Sequence, residues 1–230
     1  MPITTWTAKL VKKEHLTDDV IKFSFTVPED FTFKAGQFVS IRLKKGEESK
    51  LKPYSILNPP SQKDLLDVCI KIVPGGFASE IFKEAKVNES FEIKGPFGQF
   101  TFNEKDQNKE FWFLATGTGV TPFYSMLHQY LKHYKNQNFK LFFGIRYKKG
   151  LFFHKEFLKL AKENPNFTYI PSLSQDQWEG HTGRINQHFG EDLKDKTFYI
   201  CGLKEFVIET KDYLISKGVE IKDIIAERYS

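Results

Sequence analysis

The chain has 230 residues, 40% hydrophobic and 27% charged, a balance that suits one large or two small globular domains and excludes a disordered or fibrous protein. Its 34 Lys and Arg against 29 Asp and Glu give a formal charge of +5. The excess is spread as scattered lysines, which excludes a block-basic nucleic-acid binder and weakly favours acidic partners. Two cysteines, Cys69 and Cys201, are too few for a disulfide framework or an iron–sulfur set and suit a reduced, intracellular setting.

Residues 1–20 contain Lys9, Lys12, Lys13, Glu14, Asp18 and Asp19, which interrupt any signal-peptide core, and no apolar run is long enough to span a bilayer. The expectation is a cytoplasmic protein without a membrane segment. From Thr5 to about Gly95 the chain shows short alternating runs at 6–11, 21–27, 37–43 and 67–73. Period-two alternation predicts antiparallel strands with one wet face. Turn signals at Pro28-Glu29-Asp30, Lys45-Gly46 and Asn58-Pro59-Pro60 space them as in a small closed barrel.

Within this half, Lys52-Pro53-Tyr54-Ser55 sets an aromatic ring beside a hydroxyl on a strand, which turns their side chains in different directions. A stacked flavin would use both, Tyr54 along its ring system and Ser55 on a ring nitrogen such as N5. Read alone, the pattern is more often just a strand with a tyrosine on its outer face. Pro74-Gly75-Gly76-Phe77-Ala78-Ser79 reads as a glycine turn opening a short helix, whose free N–H groups and Ser79 hydroxyl suit phosphate. A capped helix without a ligand is the alternative. Gly95-Pro96-Phe97-Gly98 predicts a bend.

The polar run 104–109 marks a linker, dividing the chain into domains 1–104 and 105–230. Beyond it, apolar runs at 111–115, 139–145, 167–173, 197–201 and 221–226 alternate with helical patterns near 119–133, 153–163, 184–190 and 204–217. Alternating β and α elements predict a doubly wound, five-stranded parallel sheet. Ligands of such sheets sit beyond the strands' carboxyl ends, where Gly117, Arg146, Ser174 and Cys201 would gather. The strand 111–115 runs into Thr116-Gly117-Thr118-Gly119 and a helix, a glycine turn through which a backbone approaches an anion closely. Pro122 replaces the third glycine of the dinucleotide fingerprint, so read alone this stretch fits an ordinary βα turn as well. The six histidines show no metal spacing, and no metal is expected.

Taken together in this order, these motifs resemble the ferredoxin–NADP reductase family over nearly the whole chain. The resemblance covers Lys52-Pro53-Tyr54-Ser55, Gly76-x-x-Ser79, Gly95-Pro96-x-Gly98-x-Phe100, Gly117-Thr118-Gly119-Val120-Thr121-Pro122, Tyr199-Ile200-Cys201-Gly202 and the closing Glu227-Arg228-Tyr229-Ser230. It implies a Greek-key FAD-binding barrel followed by a nicotinamide-binding domain, and a reaction in which NADPH or NADH delivers hydride to flavin N5. Tyr54 would stack on the flavin, Ser55 would contact N5, and Gly76 and Ser79 would hold the FAD pyrophosphate, helped by Lys52 and Lys71. The family usually has arginine at the two lysine positions, and lysine keeps the charge without the bidentate fork. Cys201 would sit against the nicotinamide as a small polarizable group, Glu227 would be a proton or dipole partner there, and Tyr229 would cover the flavin.

The basic stretch Arg146-Tyr147-Lys148-Lys149 after the second strand, with Arg184, leans towards NADPH; Ser174-Gln175, where phosphate-binding relatives carry Ser-Arg, weakens that lean. The reading is a flavin-dependent oxidoreductase that hands electrons to a separate acceptor, with an acidic ferredoxin or flavodoxin leading because the chain lacks cysteines for its own iron–sulfur domain. The alternatives are a flavin, ferric or quinone reductase, the reductase component of an oxygenase, a flavin-binding electron-transfer or sensor subunit without nicotinamide turnover, and a colourless interaction module.

Overall fold

The computed structural model describes residues 2–229, so Ser230 of the closing motif lies outside the described residues. The described residues divide into two compact units, 2–102 with 121–129, and 103–120 with 130–229.

In the first unit six antiparallel strands are β1 (Thr4–His15), β2 (Val20–Thr26), β3 (Phe38–Lys45), β4 (Glu48–Ser55), β5 (Leu65–Lys71) and β6 (Ser90–Phe97), with helix α1 (Phe77–Glu84) before β6. Their order, β4-β3-β6-β1-β2-β5, returns β6 between β3 and β1, the Greek-key crossing. The register of β1 shifts between Leu10 and Lys12, so its first half pairs with β6 and its second with β2. Such a bulge bends a strand and lets it serve two neighbours at a corner. A single antiparallel bridge from Ile56 to Val68 joins the sheet's two edge strands. Alternate residues point inward as the pattern predicts, with Val39, Ile41, Leu43, Phe91 and Ile93 buried around Phe23, Phe25 and Phe82. Strands β4 and β6 were not among the alternating runs. Pro53 suits an edge strand, where its missing N–H faces no partner. The bend predicted at 95–98 falls at Gly98, after β6, where φ is +96°.

The second unit is a parallel sheet of β7 (Glu110–Thr116), β8 (Asn138–Ile145), β9 (Phe167–Leu173), β10 (His181–Thr182), β11 (Lys196–Leu203) and β12 (Ile224–Tyr229), ordered β10-β9-β8-β7-β11-β12. The five predicted strands are present, and the two-residue β10 adds a short edge that no apolar run announced. Helices α2 (Thr121–Tyr130), α3 (His154–Glu163) and α4 (Lys204–Ser216) intervene. The helix predicted near 184–190 is only a 3-10 turn, Ile185–His188. The strand order reverses between β7 and β11, which makes that gap the topological switch point.

Helix α2 follows the glycine turn but packs, over residues 121–129, with the first unit. Ser125 is fully buried and its hydroxyl donates to the Asn58 carbonyl at 2.8 Å, while Met126 fills the space beside Gly36. Asn58 in turn donates to the Gln62 and Leu65 carbonyls and accepts the Asp67 N–H. Ser125→Ala is expected to cost about 1–2 kcal/mol, because a buried carbonyl loses its donor; a shift in the urea unfolding midpoint checks this.

In the parallel sheet, burial alone would raise the Glu110 carboxyl, but hydrogen bonds from Lys140 and from the Trp112 indole at 2.6 Å outweigh it and hold its pKa below the usual range. A carboxylate depressed in the folded state contributes stability above its unfolded pKa and loses it as pH falls through the folded one. Glu110→Gln is therefore expected to cost about 1 kcal/mol at neutral pH after solvent screening. Denaturation as a function of pH should show the gap closing below about pH 4.

Candidate functional site

Each unit carries part of the predicted site. In the barrel unit, Lys52, Pro53, Tyr54 and Ser55 occupy the end of β4, opposite Ile41, Ser40, Val39 and Phe38 of β3. Tyr54 meets Phe82 edge-on, with ring centroids 5.5 Å apart and planes at 88°, so its ring is held by the barrel core. Burial pushes its phenol pKa up, and it stays a neutral, flat surface at physiological pH. Ser55 is buried.

Gly75, at φ +72°, and Gly76 turn the chain into α1, and no side chain caps that helix. A Cβ on Gly76 would approach the Ser79 hydroxyl and the Val73 carbonyl at 3.1 Å, which explains a glycine there. The Ser79 hydroxyl accepts the Val73 N–H at 2.9 Å and keeps its own proton to donate. The opening amides, including Ala78, have no partner within the helix. Hydroxyl and amides together suit an anion such as a diphosphate. The Lys71 ammonium is instead 3.3 Å from Asp19. Lys50, which the sequence reading did not single out, lies 4.5 Å above the Phe77 ring at the start of α1. Its one sequence signal was a position two residues before Lys52, on the same face of β4.

In the parallel-sheet unit, Thr116 ends β7 and Gly117, Thr118 and Gly119 form a 3-10 turn before α2. Gly117 has φ +54° and open space around it. Gly119 sits against the next strand so closely that a Cβ would lie 2.2 Å from the Cys201 carbonyl oxygen. At Gly202 a Cβ would lie 2.5 Å from the Thr116 hydroxyl. That hydroxyl is buried without a hydrogen-bond partner. The turn thus presents close backbone and an orphaned polar atom at the switch point, and the residues fit a bound dinucleotide there.

Cys201 is fully buried between Ala115 of β7 and Glu227 of β12. Burial, reinforced by the Glu227 carboxylate and opposed by a Tyr229 hydrogen bond, raises its thiol pKa well above 9.0. It remains an uncharged thiol, not a nucleophile. Cys201, Glu227 and Tyr229 therefore meet at the carboxyl ends of β11 and β12.

Arg146 and Ser174 follow the ends of β8 and β9 and are exposed. The two segments are laced together, Ser174 N–H to Ile145 O and Gln175 N–H to Arg146 O, both at 2.9 Å. Two of the cations that leaned towards a 2′-phosphate are already paired. Lys148 meets both Glu179 carboxylate oxygens at 3.1 Å, and Arg184 meets Glu209 at 2.5 Å. Asp176 accepts the Lys148 backbone N–H at 2.9 Å. These three acids were missed because none stands beside the basic residue it meets in the sequence.

Residues 7–102 match the oxidoreductase FAD-binding domain and residues 113–212 the oxidoreductase NAD-binding domain. The chain belongs to the ferredoxin reductase-like family of FAD- and NAD(P)-binding oxidoreductases. It is 31% identical over 206 residues to the reductase component DmpP of phenol 2-monooxygenase from Pseudomonas sp. strain CF600, covering 86% of this chain and 58% of that protein. The chain thus spans less than two thirds of that relative. Among solved structures, the cytochrome P450 reductase GcoB of Amycolatopsis superposes with a TM-score of 0.92 at 22% identity, over 99% of this chain and 70% of that one. A ferredoxin NADP+ reductase from Neisseria gonorrhoeae with bound FAD and NADP gives 0.87 at 22% identity, over 97% and 98%. These likenesses show the fold shared with ferredoxin reductase-like proteins.

The two glycines of the turn make different demands, and substitution separates them. Gly119→Ala forces backbone against backbone and is expected to cost about 3 kcal/mol. Gly117→Ala meets only the left-handed φ penalty of about 1 kcal/mol. Thermal unfolding midpoints of the two variants measure the difference.

Proposed function

We propose that this protein is a flavin-dependent reductase that takes reducing equivalents from NADH or NADPH and passes electrons to a separate acceptor. When bound, FAD supplies the redox chemistry, accepting hydride from the nicotinamide and releasing electrons singly or in pairs. The observation that carries this reading is the orphaned Thr116 hydroxyl beside Gly117 and Gly119 at the switch point of a nucleotide-binding sheet.

In this reading the working domains are 1–104 for FAD and 105–230 for the dinucleotide, although helix α2 packs with the first unit. Thr116, Gly117, Thr118, Gly119 and Gly202 cradle the dinucleotide. Arg146, Ser174 and Arg184 stand on its adenosine side. Cys201, small and uncharged, allows the nicotinamide ring a close approach, while the Glu227 carboxylate orients positive charge there. Tyr229 offers an aromatic face. Tyr54 supplies a stacking surface, Ser55 a hydroxyl for the flavin ring, and Gly75, Gly76, Ala78 and Ser79 a phosphate-binding turn with Lys52 as its countercharge. Lys71 contributes less, since Asp19 engages it.

The similarity to a phenol 2-monooxygenase reductase component supports an oxygenase component as the acceptor. A second reading, an acidic ferredoxin or flavodoxin, is supported by the excess of lysine. A cytoplasmic setting suits both cysteines, which are free and buried. Among the described residues no helix is long and apolar enough to cross a membrane.

Anaerobic stopped-flow absorbance of the flavin-loaded protein should show rapid bleaching on mixing with a reduced nicotinamide dinucleotide. Bound flavin that neither NADH nor NADPH bleaches would leave only a flavin-binding subunit. Electron transfer to an acidic carrier should slow sharply with added salt, whereas rates independent of salt would remove that acceptor class.

A further inference from the structure

We infer that the dinucleotide this chain selects is NADH, and that Asp176 and Glu179, with Glu209, are the residues that set the choice against the lean of its basic sequence. The inference rests on the proposed reading of the sheet's carboxyl edge as a dinucleotide site and names which dinucleotide it takes.

In doubly wound nucleotide-binding sheets a carboxylate near the end of the second strand accepts a hydrogen bond from the free ribose 2′-hydroxyl, and an arginine replaces it where the ribose carries a 2′-phosphate. The chain places no acid directly after β8, the second strand in chain order; Arg146, Tyr147, Lys148 and Lys149 stand there. Folding brings the acid from elsewhere. The turn after β9 is tied to the segment after β8 by the Ser174 and Gln175 amides, and the Asp176 carboxylate closes onto the Lys148 backbone N–H at 2.9 Å. A backbone donor fixes that carboxylate more firmly than a flexible side chain would. The position is then held by an acid contributed across the sheet.

The charge count at the edge changes with it. Beside the four basic residues Arg146, Lys148, Lys149 and Arg184 the fold brings three acids, Asp176, Glu179 and Glu209, of which Glu179 pairs with Lys148 and Glu209 with Arg184. Lys148 is spanned by both oxygens of Glu179, and its ammonium also lies 6.0 Å from the Trp178 ring. Trp178 is set by its indole donating to the His181 carbonyl at 2.7 Å and by folding over Gly180, where a Cβ would come within 2.4 Å of the ring. Arg184 is held by Glu209 of α4. Arg146 and Lys149 have no acid partner among the described residues. A 2′-phosphate, carrying close to two negative charges, would have to approach Asp176 and Glu179 and displace Glu179 or Glu209 to gain a third cation. A 2′-hydroxyl needs only one fixed acceptor.

The test separates the ribose ends directly. Isothermal titration of the flavin-loaded protein with 5′-AMP and with 2′,5′-ADP reads binding without turnover, and kcat and KM for NADH and NADPH are measured with ferricyanide as acceptor. The unaltered protein should bind 2′,5′-ADP no better than 5′-AMP and favour NADH in kcat/KM by about tenfold, on the order of a few-fold for each carboxylate acting through water. The double variant Asp176→Asn, Glu179→Gln should weaken 5′-AMP, tighten 2′,5′-ADP by about tenfold, and move the NADPH preference through KM rather than kcat. Glu209→Gln, on a different element, should shift the ratio the same way by a smaller factor. Tighter binding of 2′,5′-ADP by the unaltered protein, or a ratio that none of these substitutions moves, overturns the inference while leaving the reductase reading intact. If neither nucleotide binds and neither donor is used, the dinucleotide reading itself fails and the inference falls with it.

Discussion

The parallel-sheet unit depends on one close approach, the backbone of Gly119 lying against the Cys201 carbonyl with no room for a Cβ. Strands β7 and β11 are neighbours in the sheet although most of the unit lies between them in sequence, and the turn leaving β7 must pass over β11 at once. Any side chain at Gly119 would push that turn outward. With glycine the turn stays low, the Thr116 hydroxyl is enclosed beside Gly202, and α2 begins directly after Val120. A buried hydroxyl without a partner is unfavourable by itself, and a polar ligand at the switch point would relieve the cost. The same packing fixes the register that brings Cys201 opposite Glu227 and two residues from the strand end that Tyr229 faces.

The barrel unit meets a comparable requirement by bending. The shift in β1 between Leu10 and Lys12 divides one long strand between two partners, and the curled sheet then encloses an aromatic core of Phe23, Phe25, Phe82 and Phe91. Phe82 belongs to α1, so the helix that opens at Gly76 is seated by its apolar face while its amino end remains at the surface. Tyr54 touches the same Phe82 ring. A single buried side chain thus relates Tyr54 of β4 to the glycine turn before α1, and the sheet's inward alternation decides both.

Charge behaves differently from packing in this protein. Its surface lysines are numerous but many are committed, Lys45 to Glu80, Lys71 to Asp19, Lys140 to Glu110 and Lys148 to Glu179. The exposed pairs among these add little to stability, whereas Lys140 and Glu110 are half-buried. They do alter what an approaching anion meets, because each carboxylate cancels a cation that a residue count would credit to the surface. The basic appearance of the β8 edge in the sequence and its near-neutral balance in space differ for that reason.

Local patterns in the amino-acid sequence were enough to establish two folding units, the antiparallel and parallel character of their sheets, and the strand-turn-helix at Thr116–Gly119. Alternation and glycine placement act within a few residues and are visible there. Strand β6 escaped because Gly95-Pro96 breaks the expected rhythm, β4 was legible only as the short strand at Lys52–Ser55, and the helix predicted near 184–190 is only a 3-10 turn. The tyrosine, serine and glycine positions of the candidate site were legible for the same local reason. What only the tertiary structure decided are the pairings across sequence distance: α2 seated through Ser125 on Asn58, Lys71 drawn to Asp19, and Asp176 and Glu179 brought beside Lys148. Such contacts depend on which strands become neighbours, and strand order is set by the closure of whole sheets around a core rather than by any short stretch of chain.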